Sequence, residues 1–234
     1  MMDNLKNKAK KNPLLRRAVL RTRLLYHKIF THDSFGININ KFFLADGDET
    51  YLLNYNLNPD SVVFEVGGYL GIYAGKVAEK FNPNLYIFEP VASYYRVLQK
   101  KFSQNPKVRL FDFGLSGANF KVSISIENDA SSVYRAAGSK EVIQLNDVYE
   151  FCQKENIKRI DLMSVNIEGG EYDLLARIIE SGLLKNIGIL QVQFHNFVPQ
   201  AKEKRSALIA AITKTHKPLF SFPFVWEAFK KIGD

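Results

Sequence analysis

The sequence has very little cysteine and no long uncharged apolar run. Its 234 residues include a single cysteine, Cys152, which excludes an internal disulfide and any metal site built from cysteine ligands. No apolar stretch approaches the roughly 20 residues that cross a bilayer, so the sequence does not predict a transmembrane protein. Arginines interrupt every apolar run near the N-terminus, which argues against a signal peptide. We therefore predict a cytoplasmic protein.

The chain also has no net charge outside its first 30 residues. The formal net charge of +8 comes from 32 Lys and Arg against 24 Asp and Glu. Residues 1–30 hold nine of these bases and one acid, Asp3, which leaves 23 bases and 23 acids in the rest of the chain. Affinity for nucleic acid across the whole surface is therefore not expected, and only the N-terminal segment is basic enough for a local contact.

Residues 13–30, PLLRRAVLRTRLLYHKIF, have the pattern of a basic amphipathic helix that begins near Pro13. Apolar residues gather on one side and the bases lie outside it, although Leu20 and Leu24 interrupt the basic face. Two interpretations stay open. The segment contacts an anionic membrane surface or a partner, or it packs on its own domain with the bases in solvent. The polar residues before it are predicted to be disordered.

The rest of the chain predicts a short hairpin followed by one α/β domain. In residues 41–54, KFFLADGDETYLLN, the DGD triplet between apolar runs is typical of a hairpin turn. Beyond residue 54, short apolar runs alternate with helical segments, which predicts a parallel sheet covered by helices on both faces. The last two strands are separated only by a loop containing Pro223, so we predict that they pair antiparallel. The predicted domains are an N-terminal extension over 1–53 and an α/β domain over 54–234.

A glycine-rich turn follows the first strand of this domain, in the stretch VFEVGGYLGIYAGKVAEKFNPNLYIFEP at residues 63–90. Ligands of such sheets bind outside the carboxyl ends of the strands. Glycine lets the backbone turn sharply and lets a ligand approach without a Cβ in the way. The glycines of the turn are Gly67, Gly68 and Gly71.

Two glutamates, Glu65 and Glu89, stand at the ends of the first two strands and decide which ligand suits this turn. The dinucleotide pattern Gly-x-Gly-x-x-Gly lacks its first glycine here, because Val66 occupies that place, and Glu65 would repel a diphosphate. A carboxylate at this point suits a ligand with positive charge. Glu89 can accept hydrogen bonds from two ribose hydroxyls, each worth about 1.5–3 kcal/mol. A cationic nucleoside without phosphates describes S-adenosylmethionine.

From about Asn54 onward the chain resembles the FkbM family of Rossmann-like methyltransferases. VFEVGGYLGIYA is similar to the family's strand-one motif, IFEP to its second-strand acid, and IDLMSVNIEGGEYDLL to its Lys-x-Asp-x-Glu-Gly block. The resemblance implies a seven-stranded α/β sheet, mostly parallel, with an antiparallel last strand and helices on both faces. It also implies S-adenosyl-L-methionine as cofactor and O-methylation of a hydroxyl on a sugar, glycan or natural product. Independently of the resemblance, we expect no nucleic-acid partner, because the residues after the fourth strand contain no proline turn.

The resemblance and the strand ends together give the predicted cofactor residues, which are Glu65, Gly67, Gly68, Tyr69, Gly71, Glu89, Pro90, Asp112, Gly114 and Leu115. Asp112 either accepts a hydrogen bond from the adenine amino group or only forms a turn. The chain departs from the family pattern at four positions, with Glu65 for aspartate, Tyr69 for asparagine, Ser164 for lysine and Asn166 for aspartate. The last two changes remove both charges from a block that is predicted to face the mouth of the active site.

Two residues at strand ends are candidates for proton transfer from an alcohol acceptor. His195 follows the fifth parallel strand, and neutral imidazole, with a pKa of about 6.5, can accept a proton near pH 7. Glu168 follows the fourth strand and is a candidate base, metal ligand or cap of the next helix. His195 could otherwise contact the substrate or make a structural hydrogen bond. The predicted acceptor contacts are Asn166, Ser132 and Asn196.

Three alternatives remain beside the small-molecule methyltransferase. A metal-assisted route needs two or three hard oxygen ligands, and with Asn166 in place of aspartate we predict no metal. A nucleic-acid methyltransferase acting on base amino groups usually has an Asn/Asp-Pro-Pro-aromatic turn after the fourth strand, where this chain reads NIEGG. The third alternative is a protein that binds the cofactor without turnover, because Ser164 and Asn166 replace charged residues.

Overall fold

The computed structural model describes residues 12–127, 130–132 and 139–233, and the side chains of 126–139 lie outside this description. The chain divides into two compact units. The first unit contains the described residues up to Tyr55 together with Phe222–Val225, and the second contains Asn56–Ser221 and the residues from Trp226 onward.

The first unit is helical. Its helices are α1 (Pro13–Tyr26), which continues as a π-helical turn over His27–Thr31, α2 (Ser34–Leu44) and the short α3 (Gly47–Thr50). Helix α1 begins where the sequence indicates, because the Asn12 side chain accepts hydrogen bonds from the backbone N–H groups of Leu14 and Leu15. Helix α1 packs against α2. Leu20, which interrupts the predicted basic face, is a buried residue of α1.

The hairpin predicted over residues 41–54 is wrong. The Asp33 side chain caps α2 by accepting a hydrogen bond from the Phe35 N–H, and the helix then continues through residues 41–44. Phe42 is buried against the rings of Tyr51 and Phe222, which this helix brings within reach. Asp46 adopts a left-handed conformation with φ of 49° and ends α2. Asp46 of the DGD triplet therefore lies between α2 and α3, and Gly47 and Asp48 begin α3. Capping and aromatic burial outweigh the local turn signal.

The second unit is built on a seven-stranded sheet in the order β10-β11-β9-β8-β1-β2-β3. Neighbours in the series β9-β8-β1-β2-β3 pair parallel, and β11 pairs antiparallel with β9. Strands β1 and β8 are buried along almost their whole length, as their continuous apolar runs predict. The predicted Rossmann-like α/β sheet with an antiparallel last strand is confirmed. The strands of the unit are β1 (Val62–Val66), β2 (Asn84–Phe88), β3 (Val108–Phe111), β4 (Gly114–Ser116), β5 (Phe120–Glu127), β6 (Ala130–Ser132), β7 (Ser139–Asp147), β8 (Ile160–Val165), β9 (Ile187–Val192), β10 (His216–Phe222) and β11 (Trp226–Lys231).

The remaining four strands form a separate sheet in the order β4-β7-β5-β6. The sequence pattern gives no sign that these strands leave the main sheet. Ile124 of β5 and Ile143 of β7 are buried against Val91, which directly precedes a helix of the main layer. This apolar contact brings the second sheet over the carboxyl end of β2.

Helices of the second unit follow the strands as the alternating pattern predicts. They are α4 (Ile72–Phe81), α5 (Ala92–Phe102), α6 (Val148–Lys154), α7 (Glu171–Glu180) and α8 (Ala201–Ile212), with a 3-10 helix at Leu183–Asn186. The N-terminal ends of α4, α5 and α7 follow β1, β2 and β8, so these helix ends lie at the carboxyl edge of the sheet. Over the described ranges, no helix is both long enough and apolar enough to cross a bilayer.

Candidate active site

A cavity of about 200 Å³ lies where the carboxyl ends of β1, β2 and β8 meet. Its walls come from the loops after these strands and from the second sheet. The predicted residues that line it are Gly67, Tyr69, Glu89, Pro90, Gly114, Leu115, Asn166 and Glu168. The structure thus brings together eight side chains or backbone positions that the sequence spreads over 100 residues.

The turn after β1 requires glycine at Gly67 because the chain there approaches β8 closely. Gly67 has a φ of 96°, and a Cβ at this position would lie 2.1 Å from the carbonyl oxygen of Asn166. The N–H groups of Gly67 and Gly68 both donate to the carbonyl oxygen of Phe88, at 3.0 and 3.2 Å. The loop is therefore tied to the neighbouring strands on both sides. Tyr69 follows in a left-handed conformation with φ of 46°, a strained geometry that is common at functional sites.

Glu89 connects the ends of β1 and β2. One of its carboxylate oxygens accepts a hydrogen bond from the Tyr69 N–H at 2.7 Å, and the other accepts one from the Val91 N–H at 2.9 Å. Burial raises the pKa of Glu89 to about 7, even though these two N–H groups lower it. Each oxygen has a further lone pair that can accept a hydroxyl from a ligand in the cavity.

Glu65, in contrast, lies beneath the turn and does not line the cavity. It is the first of three buried polar residues that lie side by side on adjacent strands. Glu65 of β1 is aligned with Ser164 of β8, and Ser164 is aligned with Gln191 of β9. We call these three residues the buried polar row. The Gln191 side chain donates a hydrogen bond to the Ser164 hydroxyl at 2.8 Å. The prediction that Ser164 faces the mouth of the site is wrong, because the strand register turns its side chain into this row.

The Glu65 carboxylate is poorly compensated in the row. It accepts a hydrogen bond from the backbone N–H of Ala74, but its Oε2 atom has no hydrogen-bond partner among the described residues. Burial raises the pKa of Glu65 to about 8. The carboxyl group is therefore held largely protonated at pH 7 by its surroundings.

Replacing Glu65 by glutamine should remove part of the pH dependence of stability. The folded state raises the pKa of Glu65 from about 4.5 in the unfolded chain to about 8. The stability that the bound proton contributes is complete below pH 4.5 and is lost as the pH rises through 8. We expect the melting temperature of Glu65→Gln, relative to the unchanged protein, to rise by about 4 °C or more between pH 5 and pH 8. The control is Glu79→Gln, an exposed position on α4, whose melting temperature should depend on pH as that of the unchanged protein does. If the melting temperature of Glu65→Gln also followed that of the unchanged protein at every pH, Glu65 would not hold a buried proton.

A second group of charged side chains lies behind Glu168. His195 is buried between two glutamates, with its Nε2 atom 3.5 Å from Glu168 Oε1 and its Nδ1 atom 3.2 Å from Glu171 Oε1. Burial lowers the pKa of His195, but the two neighbouring carboxylates of Glu168 and Glu171 outweigh it and raise the pKa to about 9. His195 is consequently an imidazolium at pH 7. The neutral imidazole expected from the sequence is replaced by a cation that faces Glu168.

Glu171 fixes this arrangement and is absent from the sequence predictions. Its side chain is fully buried and accepts hydrogen bonds from the backbone N–H groups of Gly169 and His195, both at 2.8 Å. In the sequence it looks like an ordinary acidic residue in the first turn of α7, so only its burial distinguishes it. Glu168 itself has a φ of 46° and lies between His195 and the cavity.

The other predicted residues whose side chains are described do not line the cavity. Asp112 lines a separate groove beside Arg96 and Lys121. Gly68 and Gly71 pack beneath the turn against Leu98. Asn196 is exposed on the loop after β9, and Ser132 belongs to β6 with a side chain outside the described part.

Sequence reasoning also missed the apolar wall of the cavity. Tyr94 of α5 lines it and is not among the predicted site residues. Another part of the wall comes from β5 and β7, whose alternating apolar residues pack toward Val91 and Tyr94. These residues are Val122, Ile124, Ile143 and Leu145. The alternation of these strands was the available signal, but the residues they would face could not be identified.

The chain matches one family model and resembles several solved structures. A family model described as the methyltransferase FkbM domain matches residues 65–233. No curated protein sequence matches the chain. A solved structure from Clostridium thermocellum, provisionally assigned as an rRNA methylase, has a TM-score of 0.53 at 12% identity and aligns over 82% of this chain and 96% of that chain.

Two further solved structures are more distant. The N-methyltransferase NodS from Bradyrhizobium japonicum, in complex with S-adenosyl-L-homocysteine, has 11% identity and a TM-score of 0.45, over 81% of this chain and 88% of that chain. An rRNA methylase from Streptococcus thermophilus has 10% identity and a TM-score of 0.43, over 75% and 89%. At such identities the Clostridium structure supports the fold alone.

Proposed function

The chain belongs to the FkbM methyltransferase family, whose model matches residues 65–233, and on this premise we propose that it methylates a hydroxyl of a sugar, glycan or natural product. Family membership makes it an S-adenosylmethionine-dependent methyltransferase. The observation that carries the choice of acceptor is Glu168, a carboxylate that lines the cavity and is backed by a charged histidine.

The residues around the cavity fit this cofactor. When bound, the cofactor supplies a methyl group on a positively charged sulfur. We assign the ribose hydroxyls to Glu89, whose two oxygens already hold the loops of Tyr69 and Val91 in place. Gly67 leaves the backbone bare on the side of β8. Glu65 contributes from beneath the turn by holding the N-terminal end of α4 through Ala74.

Glu168 is the residue that we assign to proton transfer. An alcohol keeps its proton at neutral pH, since its pKa lies near the value of about 15.7 for water, so a positioned base assists the transfer. In the transfer, the Glu168 carboxylate would accept the proton that the acceptor hydroxyl releases, while the methyl–sulfur bond breaks and the sulfonium leaves as a neutral thioether. His195 stays protonated and, held by Glu171 on its other side, keeps Glu168 oriented. His195 and Glu168 thus act as a pair in the catalytic step.

The acceptor pocket combines polar and apolar walls. Asn166 and Glu168 present an amide and a carboxylate, which suit hydroxyl groups, while the residues of β5 and β7 present hydrocarbon. This combination suits the two faces of a sugar ring or the partly apolar surface of a natural product. Asn196 and Ser132 remain proposed acceptor contacts on the strength of the sequence.

A nucleic-acid acceptor is supported less well. The Clostridium thermocellum structure with rRNA in its name shares only the fold with this chain, at 12% identity. The residues from 31 onward carry no net charge, whereas nucleic-acid binding depends on many phosphate contacts. A binding protein without turnover is the other alternative.

One experiment separates these functions. The full chain is incubated with S-adenosylmethionine and panels of saccharides, hydroxylated natural products and rRNA fragments, and methylated products are identified by mass spectrometry. A new O-methyl group on a saccharide or natural product supports the proposal. Product only on RNA would replace it, and saturable cofactor binding in calorimetry without any product would favour the inactive protein.

Glu89→Ala should weaken S-adenosylmethionine binding by at least about tenfold, because two charge-assisted hydrogen bonds are lost. Calorimetry on the purified variant measures this loss directly. Glu79→Ala, an exposed position on α4, is the matched control and should bind as the unchanged protein does. Equal affinity in a folded Glu89→Ala variant would exclude the ribose assignment.

A further inference from the structure

Helix α1 and the π-helical turn after it present two apolar faces. One face, which includes Leu15, Val19 and Leu20, is partly or fully buried. The other is in solvent, with Leu14 81% exposed, Leu25 57% and Ile29 53%. Packing against α2 therefore accounts for only half of the apolar residues of this segment. Leu20 and Leu24, which look like interruptions of a basic face, belong to the packed side.

The exposed apolar residues lie along one side of the segment. Leu14 and Leu25 are 11 residues apart, which is close to three turns of a helix with 3.6 residues per turn, and Ile29 follows one turn later. The π-helical turn adds a bulky end to the stripe, where Tyr26 is 53% exposed and Phe30 is 72% exposed. We call the five residues Leu14, Leu25, Tyr26, Ile29 and Phe30 the apolar stripe.

Basic residues accompany the stripe and acids are absent from it. Arg17, Arg21 and Lys28 lie at helical spacing along one of its sides, and the sequence has no acid between Asp3 and Asp33. Arg17 is held by Asp46 at 2.9 Å, with both side chains about half exposed, so it retains much of its contact with solvent. The stripe thus offers hydrocarbon in the middle and positive charge at the edge.

We propose that the apolar stripe docks the protein on an anionic lipid bilayer. Aliphatic and aromatic side chains would enter the boundary between headgroups and acyl chains, and the flanking bases would meet the lipid phosphates. Tyrosine and phenylalanine at the end of the segment suit this boundary region. A second copy of the chain suits the stripe less well, because a symmetric pairing would bring the same basic side chains together. The inference does not depend on the proposed methyl acceptor.

Sedimentation of the full chain with lipid vesicles tests the proposal. The protein should sediment with vesicles of equal parts phosphatidylglycerol and phosphatidylcholine, and should stay in the supernatant with pure phosphatidylcholine. Leu25→Glu with Ile29→Glu should weaken the binding at least tenfold, and Arg21→Glu with Lys28→Glu should weaken it and remove its salt dependence. Both pairs are exposed, so folding should persist, which thermal melting checks.

Matched controls place equal changes elsewhere on the surface. Ile232→Glu replaces an exposed apolar residue outside the stripe. Lys202→Glu with Lys214→Glu reverses the charge of two exposed bases outside it. Both control variants should bind vesicles as the unchanged protein does. Equal binding by the stripe variants would overturn the proposal. The proposal would also be overturned if the stripe variants altered dimer formation but not vesicle binding. A third contradicting result would be that the unchanged protein binds an acidic protein but no vesicle.

Discussion

Glu168→Gln is expected to lower the turnover number by at least about 100-fold, the usual contribution of a positioned general base. Glutamine keeps the size of the side chain and its place in the cavity but accepts a proton far less readily. The dissociation constant for S-adenosylmethionine should stay within about twofold, because the assigned ribose contacts belong to Glu89. Steady-state kinetics with the identified acceptor, together with calorimetry for the cofactor, measure the two quantities.

The control for this change is Glu180→Gln, an exposed acid at the C-terminal end of α7, which should leave both quantities unchanged. His195→Ala should also reduce turnover with little change in cofactor affinity, because the cation that orients Glu168 is lost. If Glu168→Gln and His195→Ala both turned over at the normal rate, the proton acceptor would have to be sought elsewhere in the cavity.

Those parts of the fold that depend on regular patterns could be predicted from the sequence. The alternation of apolar runs and helical segments from residue 54 determines a parallel sheet, and the missing helix around Pro223 determines the antiparallel β11. The segment around Asp46 could not be predicted in this way. Its DGD triplet satisfies the local rules of a turn, but the cap at Asp33 and the buried ring of Phe42 act over a longer range.

The site divides along the same line. Gly67 and Glu89 were predictable, because their positions at strand ends follow from the order of β1 and β2. The charge of His195 was not, since it depends on Glu171, a residue 24 positions away that only the fold brings to 3.2 Å. The position of Ser164 was missed for a related reason. The family motif identifies the strand that contains Ser164. Only the register between β1, β8 and β9 shows on which side of the sheet the Ser164 side chain lies.

Gly67→Ala is expected to weaken S-adenosylmethionine binding by at least about 100-fold, which corresponds to about 2.7 kcal/mol. A Cβ at this position would lie 2.1 Å from the Asn166 carbonyl oxygen, which is backbone and cannot rotate away. The φ of 96° also disfavours alanine. The turn must therefore move away from β8, and Tyr69, whose N–H bonds Glu89, moves with it.

Gly182→Ala separates this displacement from the general cost of a positive φ. Gly182 has a φ of 76°, but a Cβ there would meet no atom within 4 Å, and it lies at the end of α7, away from the cavity. We expect Gly182→Ala to lose about 1 kcal/mol of stability and to bind the cofactor normally. Calorimetry measures the cofactor affinity of both variants, and thermal melting measures their stability. Normal cofactor affinity in a folded Gly67→Ala variant would mean that the turn after β1 does not contact the cofactor.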